Sequence, residues 1–422
     1  MYLNQVTIKN FRGIDNLTLA FKPGVNLIIG DNGVGKTSVL EAIVAGLGAC
    51  FKELPDIDAV SIKQQDVRQE LQIVDGSPFL KYHTPVQISC EMQVDDQTYT
   101  WSRVRKDEGV NAKTSIAYPA KEMRIADWFR NASNDIATPL PVLNYQSINR
   151  VTSGKPGDFG SSARKLNDRR YGYTACMGSA LDDKIIRKWC YAMMRRTDSK
   201  TRYHLFRDAV VNVMSRMDED KPAPEIDFSE EFGDFGEFVY REGSKVVPIS
   251  FLSAGYQSCL WMVMDIAFRA LILNPGATSL ANISGIVLID EVDKHLHPKW
   301  QWNVLEALRE TFPGIQFIIT THAPVVIGSC REATIISIAA DQMARPIDPV
   351  YGYKIEDVIE RTQGSPAALK DLKELYVQFE EACILRDTEQ AQLCFDRLDR
   401  EFPRSTERAK AQTRLRFLKL GG

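Results

Sequence analysis

Three short stretches of this 422-residue chain carry residue types and spacings suited to phosphate chemistry. The first is Gly30-Asp31-Asn32-Gly33-Val34-Gly35-Lys36-Thr37, followed by Ser38. Glycines at this spacing let backbone N–H groups turn inward around a phosphate chain. Lys36 can reach the β- and γ-phosphates, and the Thr37 hydroxyl can ligate Mg²⁺. The second stretch is Asp290-Glu291, two carboxylates after an apolar run. One can hold Mg²⁺, directly or through water, and its neighbour can act as a base toward water. The third is Leu252-Ser253-Ala254-Gly255, where a Ser-x-Gly opens an apolar helix and offers a further anion site or a plain cap.

These groups need elements that bring them together. Val25–Ile29 reads as a buried strand into the phosphate loop, and Ser38–Val44 as the helix behind it, whose N-terminus adds partial positive charge. Gly285–Ile289 reads as a strand delivering Asp290 and Glu291 to the carboxyl end of a parallel sheet, where ligand crevices lie. Ile315–Thr320 is another buried strand, ending in Thr321, His322 and Pro324. Residues 3–11 and 17–21 alternate as half-buried strands, and Asn10-Phe11-Arg12-Gly13 is a turn in which Arg12 can stack on an adenine or simply face water. Strand patterning also covers Pro85–Val94 and Gln97–Arg105, with a turn at Asp95-Asp96, and a short strand runs into Gln146. The chain between Pro55 and Ser77 reads as looser. The apolar helix after the Ser253 motif is expected over Ser258–Leu273, and an amphipathic helix near Trp300–Thr311.

Composition excludes several classes. Hydrophobic residues make up 44% and charged residues 25%, the balance of a soluble globular protein. No apolar stretch is expected to reach the length of a membrane span, and Met1 leads into a strand-like segment, so neither anchor nor signal peptide is expected. The eight cysteines are scattered, which suits reduced thiols in a cytoplasmic protein. His295 and His297, close to the carboxylates, lack a third ligand of fitting spacing for zinc. Net charge is −3, but Arg150–Arg207 carries fourteen Lys/Arg against five Asp/Glu, and Asp218–Glu242 ten Asp/Glu against two Lys/Arg. Tyr171, Tyr173, Trp189, Tyr191 and Tyr203 are interleaved with the basic residues. Either Arg195, Arg196, Lys200 and Arg202 form a surface for an anionic partner, DNA included, or the basic segment is neutralised by the acidic one and its aromatics are core.

Taken in order, the phosphate loop, Gln146, Leu252-Ser253-Ala254-Gly255, Asp290-Glu291, Asp293 and His322 resemble the ABC-type ATPase head of the SMC/RecF/RecN class. The resemblance implies ATP and Mg²⁺ as cofactors. It implies Lys36 and Thr37 as the phosphate-loop lysine and metal-ligating hydroxyl, Asp290 as the Walker B carboxylate, and Glu291 as the catalytic base. Ser253 and Gly255 fall on the signature motif, which in this family meets the γ-phosphate across a dimer. Asp293 falls on the D-loop, His322 on the switch histidine, and Arg12 on the arginine near the adenine. Gln146 falls, by position, on the metal-contacting Q-loop. The signature departs from LSGGQ at Ala254 and Tyr256, with Gln257 next door. Lys36 and Ser253 are 217 positions apart, too far for a compact transporter subunit and too near for long coiled-coil arms.

LSAGYQS, GIVLIDEVDKHLHPKWQ and FPGIQFIITTHAP resemble a narrower bacterial group of AAA-type ATP-binding proteins, some labelled virulence-associated, that share their head with Septu-like anti-phage ATPases. The expected fold is α/β, an ABC-type ATPase head with a mixed sheet, a short helical insertion and a C-terminal helical tail. Its expected parts are residues 1–150 and 223–350 for the two halves of the head, 151–222 for a basic helical insertion and 351–422 for the tail. The expected function is ATP-dependent assembly of a homodimer or higher homo-oligomer that controls a separate effector such as an HNH nuclease. A RecF-like repair ATPase, an ATP-bound scaffold with little hydrolysis and a single-chain nuclease are the alternatives. The tail, without a DxD cluster, argues against the last.

Overall fold

The computed structural model describes residues 1–74, 77–148, 168–178, 183–195, 200–220, 222–229, 236–242, 245–363, 370–403 and 405–420. The chain divides into two compact units, Met1–Gly352 and Tyr353–Gly422.

The first unit is built on two larger sheets. Its strands are β1 (Tyr2–Phe11), β2 (Ile14–Ala20), β3 (Val25–Ile29), β4 (Arg68–Val74), β5 (Ser77–His83), β6 (Val86–Val94), β7 (Gln97–Arg105), β8 (Thr114–Ala117) and β9 (Val142–Gln146), then β10 (Glu225–Ser229), β11 (Glu237–Glu242), β12 (Lys245–Pro248), β13 (Gly285–Ile289), β14 (Ile315–Thr320), β15 (Thr334–Ile338) and β16 (Ala344–Ile347). The central sheet runs β16-β15-β3-β14-β13-β9. Every neighbouring pair in it is parallel except β15–β16. Val25–Ile29, Gly285–Ile289 and Ile315–Thr320 are buried at every position, as continuous apolar runs in a doubly covered parallel sheet require. An antiparallel sheet runs β2-β1-β6-β7-β8, and its strand β6 alternates buried with partly accessible positions. The mixed α/β head expected from the motifs is therefore the fold observed.

The helix after the phosphate loop is α1 (Lys36–Leu47), and α2 (Ile125–Asn134) follows the antiparallel sheet. Two helices, α3 (Asp183–Arg195) and α4 (Lys200–Met217), lie in the basic segment. The Ser253 motif opens α5 (Ala254–Leu273), which starts four residues earlier than its apolar run suggested. At 20 residues α5 also corrects the expectation about span length, since by length and composition alone it could cross a membrane. Its apolar window is 83% buried inside the unit, so it is a core helix here. The amphipathic stretch near Trp300 is split into α6 (Pro298–Gln301) and α7 (Val304–Thr311).

The chain read as loose before Ser77 contains β4, which pairs with β5. Leu71, Ile73, Phe79 and Leu80 of this hairpin are exposed, so burial alternation gave no strand signal.

The second unit holds the helices Ile355–Gln363, Lys370–Ile384, Thr388–Glu401 and Thr406–Leu420. The last three pack around Leu372, Leu375, Phe379, Ala391, Leu398 and Leu415. Leu369, three positions before Leu372, lies outside the described residues.

Candidate nucleotide site

Three parallel strands end side by side at the site. β3 runs into the phosphate loop, β13 into Asp290, and β14 into Thr320-Thr321-His322. In the loop, Gly30, Gly33 and Gly35 take positive φ, a region open to glycine. A Cβ at Gly30 would also meet the Ile338 carbonyl oxygen at 2.4 Å. Asp31 and Asn32 are exposed, while Lys36 folds inward with 6% of its surface accessible. Its ammonium donates to the carbonyls of Gly30 and Asp31, each at 2.8 Å. The lysine therefore already lies under the loop it is expected to serve.

Asp290 is fully buried. Its carboxylate accepts the Thr37 hydroxyl at 3.0 Å and the Thr320 hydroxyl at 2.6 Å. Thr320 Oγ1 in turn accepts the Glu291 N–H at 2.8 Å. Residues 37, 290, 291 and 320, far apart in sequence, thus share one hydrogen-bonded junction. Glu291 has φ +46°, a left-handed conformation uncommon outside glycine and frequent at functional sites. Asp293 accepts the Thr321 hydroxyl at 2.5 Å.

The electrostatics tie the same groups together. Burial lowers the Lys36 pKa, opposed by Glu291, then Asp31, Asp290 and Asp293. Burial also lowers the His322 pKa below the usual 6.5, helped by Lys36 and opposed by Asp293, Glu291 and Asp290. His322 is therefore neutral near pH 7. Lys36, Asp290, Glu291, Asp293 and His322 form one interacting cluster.

Gln146, Arg12 and the Ser253 segment make other contacts. Gln146 touches the junction through its backbone, whose carbonyl accepts the Asp290 N–H at 2.9 Å. Its side-chain nitrogen is turned away, donating to Asn144 and Asp265 at 2.7 Å each. Arg12, at φ +51°, pairs with Glu41 of α1 and, at 2.9 Å, with Asp66. The Ser253 segment makes no hydrogen bond to the phosphate loop among the described residues. Ser253 and Ala254 are exposed, and the Ser253 hydroxyl caps nothing. Gly255 lies so close to the His295 carbonyl that a Cβ would sit 2.2 Å from it. Gln257, one position beyond the expected glutamine, folds back onto the carbonyls of Ser250 and Leu252. Beside the motif is a cavity of about 630 Å³ lined by Ser253, Tyr256, His295, His297 and Trp300. His297 accepts the Lys299 N–H at the start of α6. No cluster of three metal-ligating side chains occurs among the described residues.

The residues present fit ATP and Mg²⁺: a glycine cradle, an inward lysine, and a buried carboxylate already joined to a hydroxyl. The Thr320 hydroxyl, which joins Asp290 to the Glu291 backbone, was missed in the sequence. A hydroxyl at the C-terminal end of the strand beside Gly285–Ile289 was the available signal.

The basic segment comes out differently. Residues 149–167, and Arg196, lie outside the described residues. Tyr171, Tyr173, Trp189 and Tyr203 are buried, which favours the core reading of these aromatics over base stacking. Trp189 packs against Phe206 and Phe268. Tyr203 donates to Asp227 at 2.6 Å, and Arg187 pairs with Glu237, both partners lying in the acidic stretch. Arg169 donates to the carbonyls of Leu273, Asp135 and Thr138, closing the end of α5. Arg195 lies over the Tyr191 ring at 4.3 Å.

Comparison with known proteins agrees with this geometry. Residues 5–153 match a family described as an AAA domain, and residues 188–328 one described as "AAA domain, putative AbiEii toxin, Type IV TA system". The chain is 24% identical to the retron Vc95 probable ATPase of Vibrio cholerae, over 77% of this chain and 71% of that one. It is 23% identical to the Septu protein PtuA of Bacillus thuringiensis, over 86% and 84%. A shorter stretch, 16% of this chain and 18% of the relative, is 49% identical to the DNA replication and repair protein RecF of Cronobacter sakazakii. The chain carries two AAA-domain matches and is related to the retron Vc95 probable ATPase and to the Septu protein PtuA.

Proposed function

We propose that this protein hydrolyses ATP between two copies of itself, and that the ATP-held assembly controls a separate effector, an HNH-type nuclease, in cytoplasmic anti-phage defence. The observation that carries the hydrolytic part is the junction of Thr37, Asp290, Thr320 and the Glu291 backbone. Lys36 and the loop amides hold the β- and γ-phosphates of ATP. Thr37 and Asp290 hold Mg²⁺, which when bound neutralises charge on those phosphates. Glu291, pinned by its N–H to Thr320, takes the proton of a water as that water attacks the γ-phosphorus in line and ADP leaves. His322, neutral near pH 7, can donate to the γ-phosphate through one ring nitrogen while the other accepts.

Pairing is supported by what the Ser253 motif leaves outward. Ser253 and Ala254 are exposed, and Phe251 beside them is 80% exposed. A second copy would cover that apolar ring and complete each nucleotide site from both sides. ATP then favours the assembled state because it binds both surfaces. The relatives named for retrons and Septu favour a defence role. The RecF stretch favours a second reading, a repair ATPase acting on DNA. Turnover by pure protein tests the proposal: wild type must hydrolyse ATP with Mg²⁺ faster than Glu291→Gln. Equal rates would leave only an ATP-bound scaffold.

A further inference from the structure

Four polar side chains meet in the interior behind the site. Asn144 and Gln146 come from β9, and Asp265 and Arg269 from α5. None is more than 6% exposed. One oxygen of Asp265 accepts Asn144 Nδ2 at 2.9 Å and Gln146 Nε2 at 2.7 Å. The other accepts Arg269 Nε at 2.8 Å. Gln146 also donates to Asn144 Oδ1 at 2.7 Å. Arg269 continues to the carbonyls of Gly172 and Thr174, at 2.7 and 3.0 Å.

A buried ion pair is weak evidence for stability, since well-packed apolar residues often replace one without loss. Its location suggests another use. Gln146 ends the strand whose last carbonyl receives the Asp290 N–H. Asp265 lies twelve positions along the helix that Ser253 opens, roughly 18 Å at 1.5 Å per residue. The carboxylate is therefore a shared acceptor between the strand end beside Asp290 and the middle of the helix that presents Ser253.

We propose that Asp265 is a positioning residue: through Asn144 and Gln146 it sets the register of α5 against β9. The Ser253 surface and the Asp290–Glu291 carboxylates are thereby held in one geometry. The inference rests on the proposed function, in which Ser253 meets the nucleotide of a second copy. Phosphate binding depends on β3 and α1 and is left alone by this network. Asp265→Asn keeps the shape but puts a donor where the carboxylate now receives only donors. Asn144→Ala is a milder variant that leaves the Asp265–Arg269 pair in place.

Both variants, as full-length protein, would be tested for Mg²⁺-dependent binding of a fluorescent ATP analogue, steady-state hydrolysis and ATP-dependent pairing by sedimentation. A positioning role predicts affinity within about twofold of wild type, kcat and pairing about tenfold weaker, and a cooperative melt. Asp265→Asn combined with Gln146→Ala should lose no more than the worse single variant, because both act through one network. Unchanged kcat and pairing in either folded variant would overturn the proposal. So would losses that add, or nucleotide affinity falling in step with kcat. Wild-type turnover no faster than Glu291→Gln would instead remove the hydrolytic reading. ATP-dependent pairing would then decide alone, and full pairing by Asp265→Asn would overturn the positioning role.

Discussion

The carboxylate end of the central sheet and the basic segment between Arg150 and Arg207 both stood out in the sequence, for different reasons. One was a set of spaced residue types in strand and helix context; the other was a net charge. The spaced residues come together in space, with Thr37, Asp290, Thr320 and Glu291 in one junction. Part of that charge, among the described residues, is met from within the fold. Arg169 closes a helix end, Arg187 pairs with Glu237, and Tyr203 with Asp227. A motif carries its own geometry through the strand that delivers it, whereas a charge count is silent about partners that arrive from elsewhere in the chain.

The comparison is sharpest where the motif is broken. Lys36→Ala removes the ammonium under the loop and should weaken ATP binding by about 100-fold in a protein that still melts cooperatively. Affinity within a few-fold of wild type, measured by calorimetry, would detach the loop from nucleotide. Glu291→Gln should lower kcat about 100-fold or more while ATP-bound assemblies accumulate in sedimentation. Undiminished turnover would move the base elsewhere.

The basic segment predicts smaller effects. Arg187→Gln strands Glu237, which is mostly buried, and should cost about 1–3 kcal/mol in denaturant unfolding with little change in ATP affinity. If it instead weakened DNA binding at unchanged stability, the segment would be a surface and not a brace. Replacing Arg195, Arg196, Lys200 and Arg202 by Gln should weaken any DNA or acidic-protein partner a few-fold and flatten its salt dependence, with basal ATPase near wild type. Wild type that binds neither duplex nor single-stranded DNA at low salt removes the nucleic-acid half.

His322 gives the smallest effect, on stability against pH. Its native pKa lies below the ordinary 6.5, so the unfolded chain binds the proton first as pH falls. Wild type should therefore lose stability relative to His322→Gln as pH drops through 6.5 toward the native value, and the two should run parallel above it. A parallel course through the whole acid range would contradict the partial burial of His322 near Lys36.

Legibility in the sequence followed burial. Val25–Ile29, Gly285–Ile289 and Ile315–Thr320 were readable because strands covered on both faces are continuous apolar runs. The helical stripe of Leu372, Leu375 and Phe379 was readable by its period. The β4–β5 hairpin was not, since Leu71, Ile73 and Phe79 face outward. Gln146 was assigned by position, but no pattern announces that Asp265, 119 residues later, holds its amide. Likewise Arg12 looked free at a turn because Glu41 and Asp66 reach it only through the fold.

The central claim is that each nucleotide site is completed by the Ser253 surface of a second copy. Mixing Lys36→Ala with Ser253→Arg tests it most directly. Each variant alone should be inactive, Ser253→Arg while still binding ATP. In an equal mixture half of the pairs are hybrids carrying one intact site, so turnover should return to about a quarter of the wild-type rate. No recovery, with both proteins folded and pairing, would contradict a site shared between copies.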